Sequence, residues 1–218
     1  MIIQQVIKGI TGIGTSEATR TLAEGIKCKW WLELAKRGRS LPVQEIPKRL
    51  TDRNLHWHQN HYDRPDPLDP NGEVFCLHTP FISTTAGTVE RDTFNKTNIL
   101  NPAWIEALRF ATDFWTQDGC LFYCYLLIIG RRAVALQPFS EELRELNVYT
   151  GFSPYQPEGE IAAKIIIPPS QIEKAELWRM KDIMDAVSQG RMPQYDSLIP
   201  NSFFVPPQQY NNVRECLK

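Results

Sequence analysis

Residues 120–129, Cys-Leu-Phe-Tyr-Cys-Tyr-Leu-Leu-Ile-Ile, form the longest uninterrupted apolar run of the chain, at ten residues. A membrane-spanning helix needs about 20 apolar residues, so this run predicts no membrane span. It is aromatic and β-branched and lies between Gly119 and Gly130, which predicts a central strand. Cys120 and Cys124 fall inside it, where a thiol is a small core hydrophobe. The cysteines number five, an odd count, with no CxxC or Cys/His zinc spacing, and all are read as reduced.

The other elements are read around that strand. A helix is predicted from Ser16 to Arg37, with Leu22, Ile26, Trp30 and Leu34 on one face and Gly38 as its stop. A second is predicted over 102–117, capped by Asn101, with Trp104, Leu108, Ala111 and Trp115 as its buried stripe. Strands are expected at 55–60, 77–85 and 162–167. The stretch 176–180 reads as strand and 181–189 as helix. Sixteen prolines, clustered at 65–80, 154–169 and 193–207, indicate a loop-rich α+β protein with an irregular tail. Residues 1–45 read as a helical extension and 46–218 as the main domain.

Composition excludes two classes. With 42% hydrophobic and 22% charged residues the chain is no disordered polyelectrolyte. With 24 Lys+Arg against 25 Asp+Glu, the net charge of -1 disfavours nucleic-acid binding by bulk charge. Met1 to Gln5 carries no basic n-region, apolar stretch or cleavage site. The expectation is a cytoplasmic protein, or one secreted or injected without an N-terminal signal peptide.

Two segments carry candidate chemistry. In the first, Ser153-Pro154-Tyr155-Gln156-Pro157-Glu158-Gly159-Glu160-Ile161-Ala162-Ala163, two carboxylates flank a glycine at the entrance to an apolar strand. Side chains two apart on a strand share a face. Paired carboxylates suit stabilisation of a sugar cation and activation of a nucleophile. In the second, Phe81-Ile82-Ser83-Thr84-Thr85, three hydroxyl residues end a strand and can orient a carboxylate. Taken singly, a solvated turn and a Thr-rich strand edge describe these segments better than a site does.

Together, with Ile167-Pro168-Pro169-Ser170-Gln171-Ile172 downstream, they resemble the catalytic segments of the cholera toxin and heat-labile enterotoxin A chains, the arginine-directed mono-ADP-ribosyltransferases. The order of hydroxyl strand, helix, apolar strand and carboxylate loop is also similar, over residues 55 to 180. The last hydroxyl, Thr85, departs from the usual serine. The resemblance implies an ADP-ribosyltransferase-like split mixed β-sheet core with flanking helices, binding NAD as substrate between the half-sheets. It implies that Glu160 stabilises the oxocarbenium ion formed as nicotinamide leaves, and that Glu158 orients or deprotonates a guanidinium acceptor. Ser83 then hydrogen-bonds the catalytic glutamate, supported by Thr84 and Thr85.

The family's arginine near the start of the first strand has no clear counterpart. His58, after Trp57, is the first choice, with Arg53 and Arg64 as competitors. His56, His58 and His61, near Asp63 and Asp66, also raise zinc, but a ligand from a distant segment is missing and no metal is assigned. Tyr149, Phe152 and Tyr155 precede Glu158 on the loop that faces the acceptor in the resembling enzymes. The implied function is a toxin or effector moving ADP-ribose to an arginine-type acceptor, on a protein rather than a nucleic acid, with an antitoxin or immunity partner as a further expectation. The alternatives are an inactive binding protein of the same fold and an NAD glycohydrolase.

Overall fold

Residues 2–11 alternate across a strand rather than along a helix. Val6 is buried in the main core, while Ile7 packs with Ala107 and Leu108 on the opposite face. The computed structural model describes residues 2–69, 71–86, 103–128, 141–142 and 160–207. In chain order these form β1 (Ile2–Thr11), α1 (Thr15–Glu24), β2 (Ile26–Lys27), α2 (Lys29–Lys36), α3 (Ile46–Arg49), α4 (Asp52–Asn60) and β3 (Phe81–Thr85). There follow α5 (Ala103–Ala111), β4 (Gly119–Ile128), β5 (Glu141–Glu142), β6 (Glu160–Lys164), β7 (Ile166–Ile167), β8 (Ile172–Trp178), α6 (Met180–Ser188) and β9 (Ser197–Pro200).

Seven strands form one sheet in the order β5-β6-β3-β1-β4-β8-β9, and β2 pairs with β7 in a small second sheet. The α+β class holds. Every pairing among the described residues is antiparallel, where a mixed sheet was expected. The sheet is split. β1 pairs with β4 from Ile2↔Ile128 to Thr11↔Gly119, the full length of both strands. Its other edge meets β3 in register only at Ile7↔Thr85. Two half-sheets, β5-β6-β3 and β1-β4-β8-β9, therefore join at one pair.

This placement corrects the division at residue 45. β1 lies between β3 and β4, and one apolar core joins Val6, Ala18, Leu22 and Trp30 to Phe122, Leu126, Ile161 and Ile172. The long helix predicted from Ser16 breaks at Gly25, whose φ of +85° is open to glycine but strained for other residues, so α1, β2 and α2 replace it. The strand predicted at 55–60 is helix α4. Thr51 caps it, its side-chain oxygen accepting the Asn54 N–H at 3.2 Å, and the buried Leu55 and His58 are spaced three apart as a helix face requires.

The other boundaries shift less. Residues 75–77 form a helical turn, so β3 starts only after Pro80. The strand predicted over 162–167 bends at the fully buried Ile165, whose φ of +65° turns the chain from β6 into β7. Helix α5 stops at Ala111 and is followed by Asp113, Phe114 and Trp115, all at positive φ. Trp30 and Trp178 are core residues as expected, and Trp104 stacks on Trp178 at 5.9 Å between ring centroids, whereas Trp115 is 36% exposed. Cys28, Cys76, Cys120 and Cys124 are free thiols. No helix among the described residues is long and apolar enough to cross a membrane.

Candidate active site

The pairing of β3 with β6 fixes which candidate residues meet. Thr85 lies opposite Glu160 and Ser83 opposite Ala162. Paired residues in an antiparallel ladder share a face. Ser83, Thr85 and Glu160 thus point one way, and Thr84, Ile161 and Ile82 point the other. Ile82 and Ile161 belong to the main core, and Thr84 is buried with its hydroxyl donated to the Ile161 carbonyl at 2.7 Å. Thr84 therefore secures the strand pair, while Ser83 and Thr85 flank the carboxylate.

Helix α4 packs over this face through Leu55, which joins Phe81 and Ala162 in a small apolar cluster. One turn on, His58 lies 2.8 Å from Ser83 Oγ through Nε2 and 2.8 Å from Thr79 Oγ1 through Nδ1. Its Nε2 is also 3.9 Å from Glu160 Oε1. Burial first, and the charge of Lys8 second, push the His58 pKa down to about 3. The ring is neutral near pH 7, so its approach to Glu160 is not an ion pair. The ring thus stands between Ser83 and Glu160 as a neutral group, hydrogen-bonded to the first. His58 thus reaches the site, though from a helix and not from the expected strand. With both ring nitrogens held by hydroxyls, it is not a zinc ligand alongside His56 and His61.

Sequence reading missed Lys8, a cation on the cleft wall at the split of the sheet. It follows Ile7, the residue of the single β1–β3 pair, at the point where the half-sheets part. Lys8 and Glu160 line one cleft of about 750 Å³, together with His58, Ser83 and Thr85. Burial lowers the Lys8 pKa to about 8, and the Glu160 carboxylate opposes that fall. Ile2, Ile3, Val6, Ile7 and Ile10, β-branched and followed by Gly12, were the available strand signal.

The remaining wall comes from α5, which supplies Arg109 and Phe110, and from Phe114 after it. Gly9 lets that helix approach, since a Cβ there would stand 2.4 Å from the Ala107 carbonyl oxygen. Phe110 and Phe114 are 41% and 56% exposed and meet edge to face at 5.5 Å, with the Arg109 guanidinium over both rings. Of the competitors for the arginine position, Arg53 is ion-paired to Asp66 at 2.7 Å, and Arg64 lies on the cleft wall. Glu158, with Tyr149, Phe152 and Tyr155, lies outside the described residues.

No family model and no curated protein matches the chain. Solved structures do. A heat-labile enterotoxin arginine-to-lysine mutant, described as having great flexibility of an active-site loop of its A subunit, is 14% identical, with 95% of this chain and 79% of that chain covered at a TM-score of 0.48. A structure named EcPltA is 12% identical over 93% of this chain and 88% of that one, at a TM-score of 0.41. An E. coli heat-labile enterotoxin valine-to-lysine mutant is 16% identical over 91% and 76%, at a TM-score of 0.41.

Proposed function

We propose that the protein is an NAD-dependent mono-ADP-ribosyltransferase acting on an arginine-type acceptor. The observation that carries this reading is the buried carboxylate of Glu160 at the split of the sheet, in one cleft with Lys8 and with the hydrogen-bonded His58–Ser83 pair. A fixed negative charge in a water-poor cleft stabilises positive charge that develops beside it by several kcal/mol. The cleft volume of about 750 Å³ lies in the range of small-molecule sites, and exposed aromatic rings at its rim suit the planar bases of a dinucleotide.

In this reading NAD is the substrate. Glu160 holds a ribose hydroxyl and lowers the energy of the oxocarbenium ion as nicotinamide leaves. Ser83 keeps that carboxylate in place, and neutral His58 keeps Ser83 in place. Lys8 offers a cation to the phosphates and takes the position the resemblance assigns to arginine. Glu158 orients or deprotonates the incoming guanidinium. A toxin or effector role, with a protein as acceptor, belongs to the same proposal.

The lysine favours a second reading, an NAD-binding protein of this fold that transfers nothing. A single ammonium does not reproduce the two-pronged hydrogen bonding of a guanidinium. Labelled NAD, incubated with and without a guanidino acceptor, separates the two by nicotinamide release and labelled product. Glu160→Gln is expected to lower both hydrolysis and transfer about 10²-fold or more. Glu158→Gln is expected to abolish transfer while leaving residual hydrolysis. Equal loss of both activities in the two variants contradicts the division of labour, and NAD binding with no turnover in the wild type selects the second reading.

A further inference from the structure

Asp69, Glu73 and His78 lie away from the split of the sheet, on the segment between α4 and β3. Each offers one ligand-type atom, and the three atoms lie within 4.8 Å of one another. His78 Nε2 stands 3.1 Å from Glu73 Oε2 and 4.0 Å from Asp69 Oδ2. That nitrogen is buried and makes no hydrogen bond, although the Glu73 oxygen is within hydrogen-bond range. A lone pair aimed at two carboxylates is repelled by them, and an N–H here is poorly aligned to donate. A cation seated among the three atoms removes both difficulties.

We propose that Asp69, Glu73 and His78 form a binding site for a first-row divalent cation of the Zn2+ type. Zinc takes imidazole nitrogen and carboxylate oxygen at about 2.0–2.2 Å, which puts two ligand atoms roughly 3.3 Å apart at the tetrahedral angle. The 3.1 Å edge between His78 and Glu73 already has this length, and a small side-chain rotation brings the Asp69 oxygen in from 4.0 Å. The two carboxylates are also oriented by hydrogen bonds, as metal ligands generally are. The Arg37 guanidinium donates to Glu73 Oε1 at 2.9 Å and to Oε2 at 3.1 Å, and Asp69 Oδ2 accepts the Glu73 backbone N–H at 2.7 Å, which leaves Oε2 and Oδ2 each a further lone pair for the ion. An open cleft of about 700 Å³, lined by all three residues, gives the ion and its completing water a way in.

The ion would fasten the loop 65–78 to the start of β3. Thr79, the next residue, makes the hydrogen bond to His58 Nδ1. Binding itself does not depend on the transferase reading and is measured without NAD.

The test uses the full chain stripped with chelator, titrated with Zn2+ by calorimetry and with Co2+ by visible absorption near neutral pH. One equivalent is expected to bind and to raise the melting temperature. Asp69→Asn and His78→Gln, checked for folding by far-UV circular dichroism, are each expected to weaken binding at least ~10-fold. Should either variant fail to fold, the other and the Co2+ spectrum decide. Absence of binding to the folded wild type, or undiminished binding in the folded variants, overturns the proposal. So does a thiolate charge-transfer band with Co2+, which moves the ion to a cysteine such as Cys76.

Discussion

The two edges of β1 are made from the same ten residues and do opposite things. Towards β4 the strand is zipped along its whole length, and the β4 side chains Cys120, Leu121, Phe122 and Leu126 are buried. Towards β3 it touches at Ile7↔Thr85 and then parts, and Lys8, Ser83, Thr85 and Glu160 gather at the gap. A closed ladder satisfies its backbone polar groups internally and packs apolar side chains. An open one leaves room for a cavity, and a charge buried there has to be balanced by a partner. Lys8 and Glu160 line that cavity together, with the Glu160 charge acting on the Lys8 ammonium. The difference teaches that the site is a property of the seam between half-sheets more than of either half.

The largest expected effect comes from pushing on the closed side. Gly9 sits one residue beyond Lys8, with the Ala107 carbonyl oxygen where a Cβ would need space. Gly9→Ala must displace backbone, which moves more than a side-chain tip, and is expected to destabilise the fold by about 1–3 kcal/mol. Because α5 also walls the cleft, NAD turnover is expected to fall with it. Gly14, where a Cβ would meet nothing within 4 Å, is the control, and Gly14→Ala should lose well under ~1 kcal/mol despite its N-cap position. Equal Tm values for both variants would mean that the close approach of α5 is not what shapes this end of the seam.

The open side is tested through the charge on Lys8. Its pKa of about 8 lies below the ordinary 10.5, with burial as the main cause. If the ammonium binds substrate, kcat/KM should fall about tenfold per pH unit above that value. Lys8→Arg should remove this fall, since a guanidinium stays charged, and Lys8→Met should lower kcat/KM roughly tenfold or more at every pH. Stability should run the other way. Between pH 8 and 10.5 the unfolded chain holds a proton that the native state has released, so folding strengthens as pH rises through this window. Activity and stability falling together above pH 8 would place the titrating group elsewhere.

Much of the seam was legible in the sequence, and what was missed has a common cause. Ser83, Thr85 and Glu160 were singled out by the resemblance of their two segments, and the register puts all three on one face because a strand's side chains alternate with a period of two. The central strand 120–129 was found by its unbroken apolarity and is β4 to within a residue at each end. β1 was missed because its alternation is irregular: Gln4 and Gln5 interrupt it, and the segment was read as part of a helical extension, with Met1 to Gln5 weighed as a leader peptide. With β1 went Lys8, and the arginine position was sought in 55–60 instead. There the spacing of Leu55 and His58 by three was the helical signal. No local rule shows that a histidine on that helix reaches Ser83, 25 residues on, because the loop between them sets the contact.

The smallest expected effects distinguish the two faces of β3 itself. Ser83 and Thr84 are neighbours with the same functional group. Ser83 faces the cleft and its hydroxyl lies in hydrogen-bond contact with His58 Nε2 at 2.8 Å, while Thr84 faces the core and donates to the Ile161 carbonyl at 2.7 Å. Thr84→Val keeps the shape and removes a buried hydrogen bond, so it should lower stability by about 1 kcal/mol. The site residues keep their places, and turnover under native conditions should change less than ~2-fold, well under the factor of ten that 1.4 kcal/mol makes in a rate. Ser83→Ala should cost a similar amount of stability, about 1–3 kcal/mol, because it leaves the buried His58 Nε2 without its partner, so the two variants part in chemistry and not in stability. Without Ser83 the Glu160 carboxylate loses its brace, and NAD cleavage should fall severalfold. Chemical denaturation alongside nicotinamide release measures both quantities on each variant. If Thr84→Val impairs cleavage more than Ser83→Ala does, the hydroxyl that serves the chemistry is on the other face, and the assignment of faces by register is wrong.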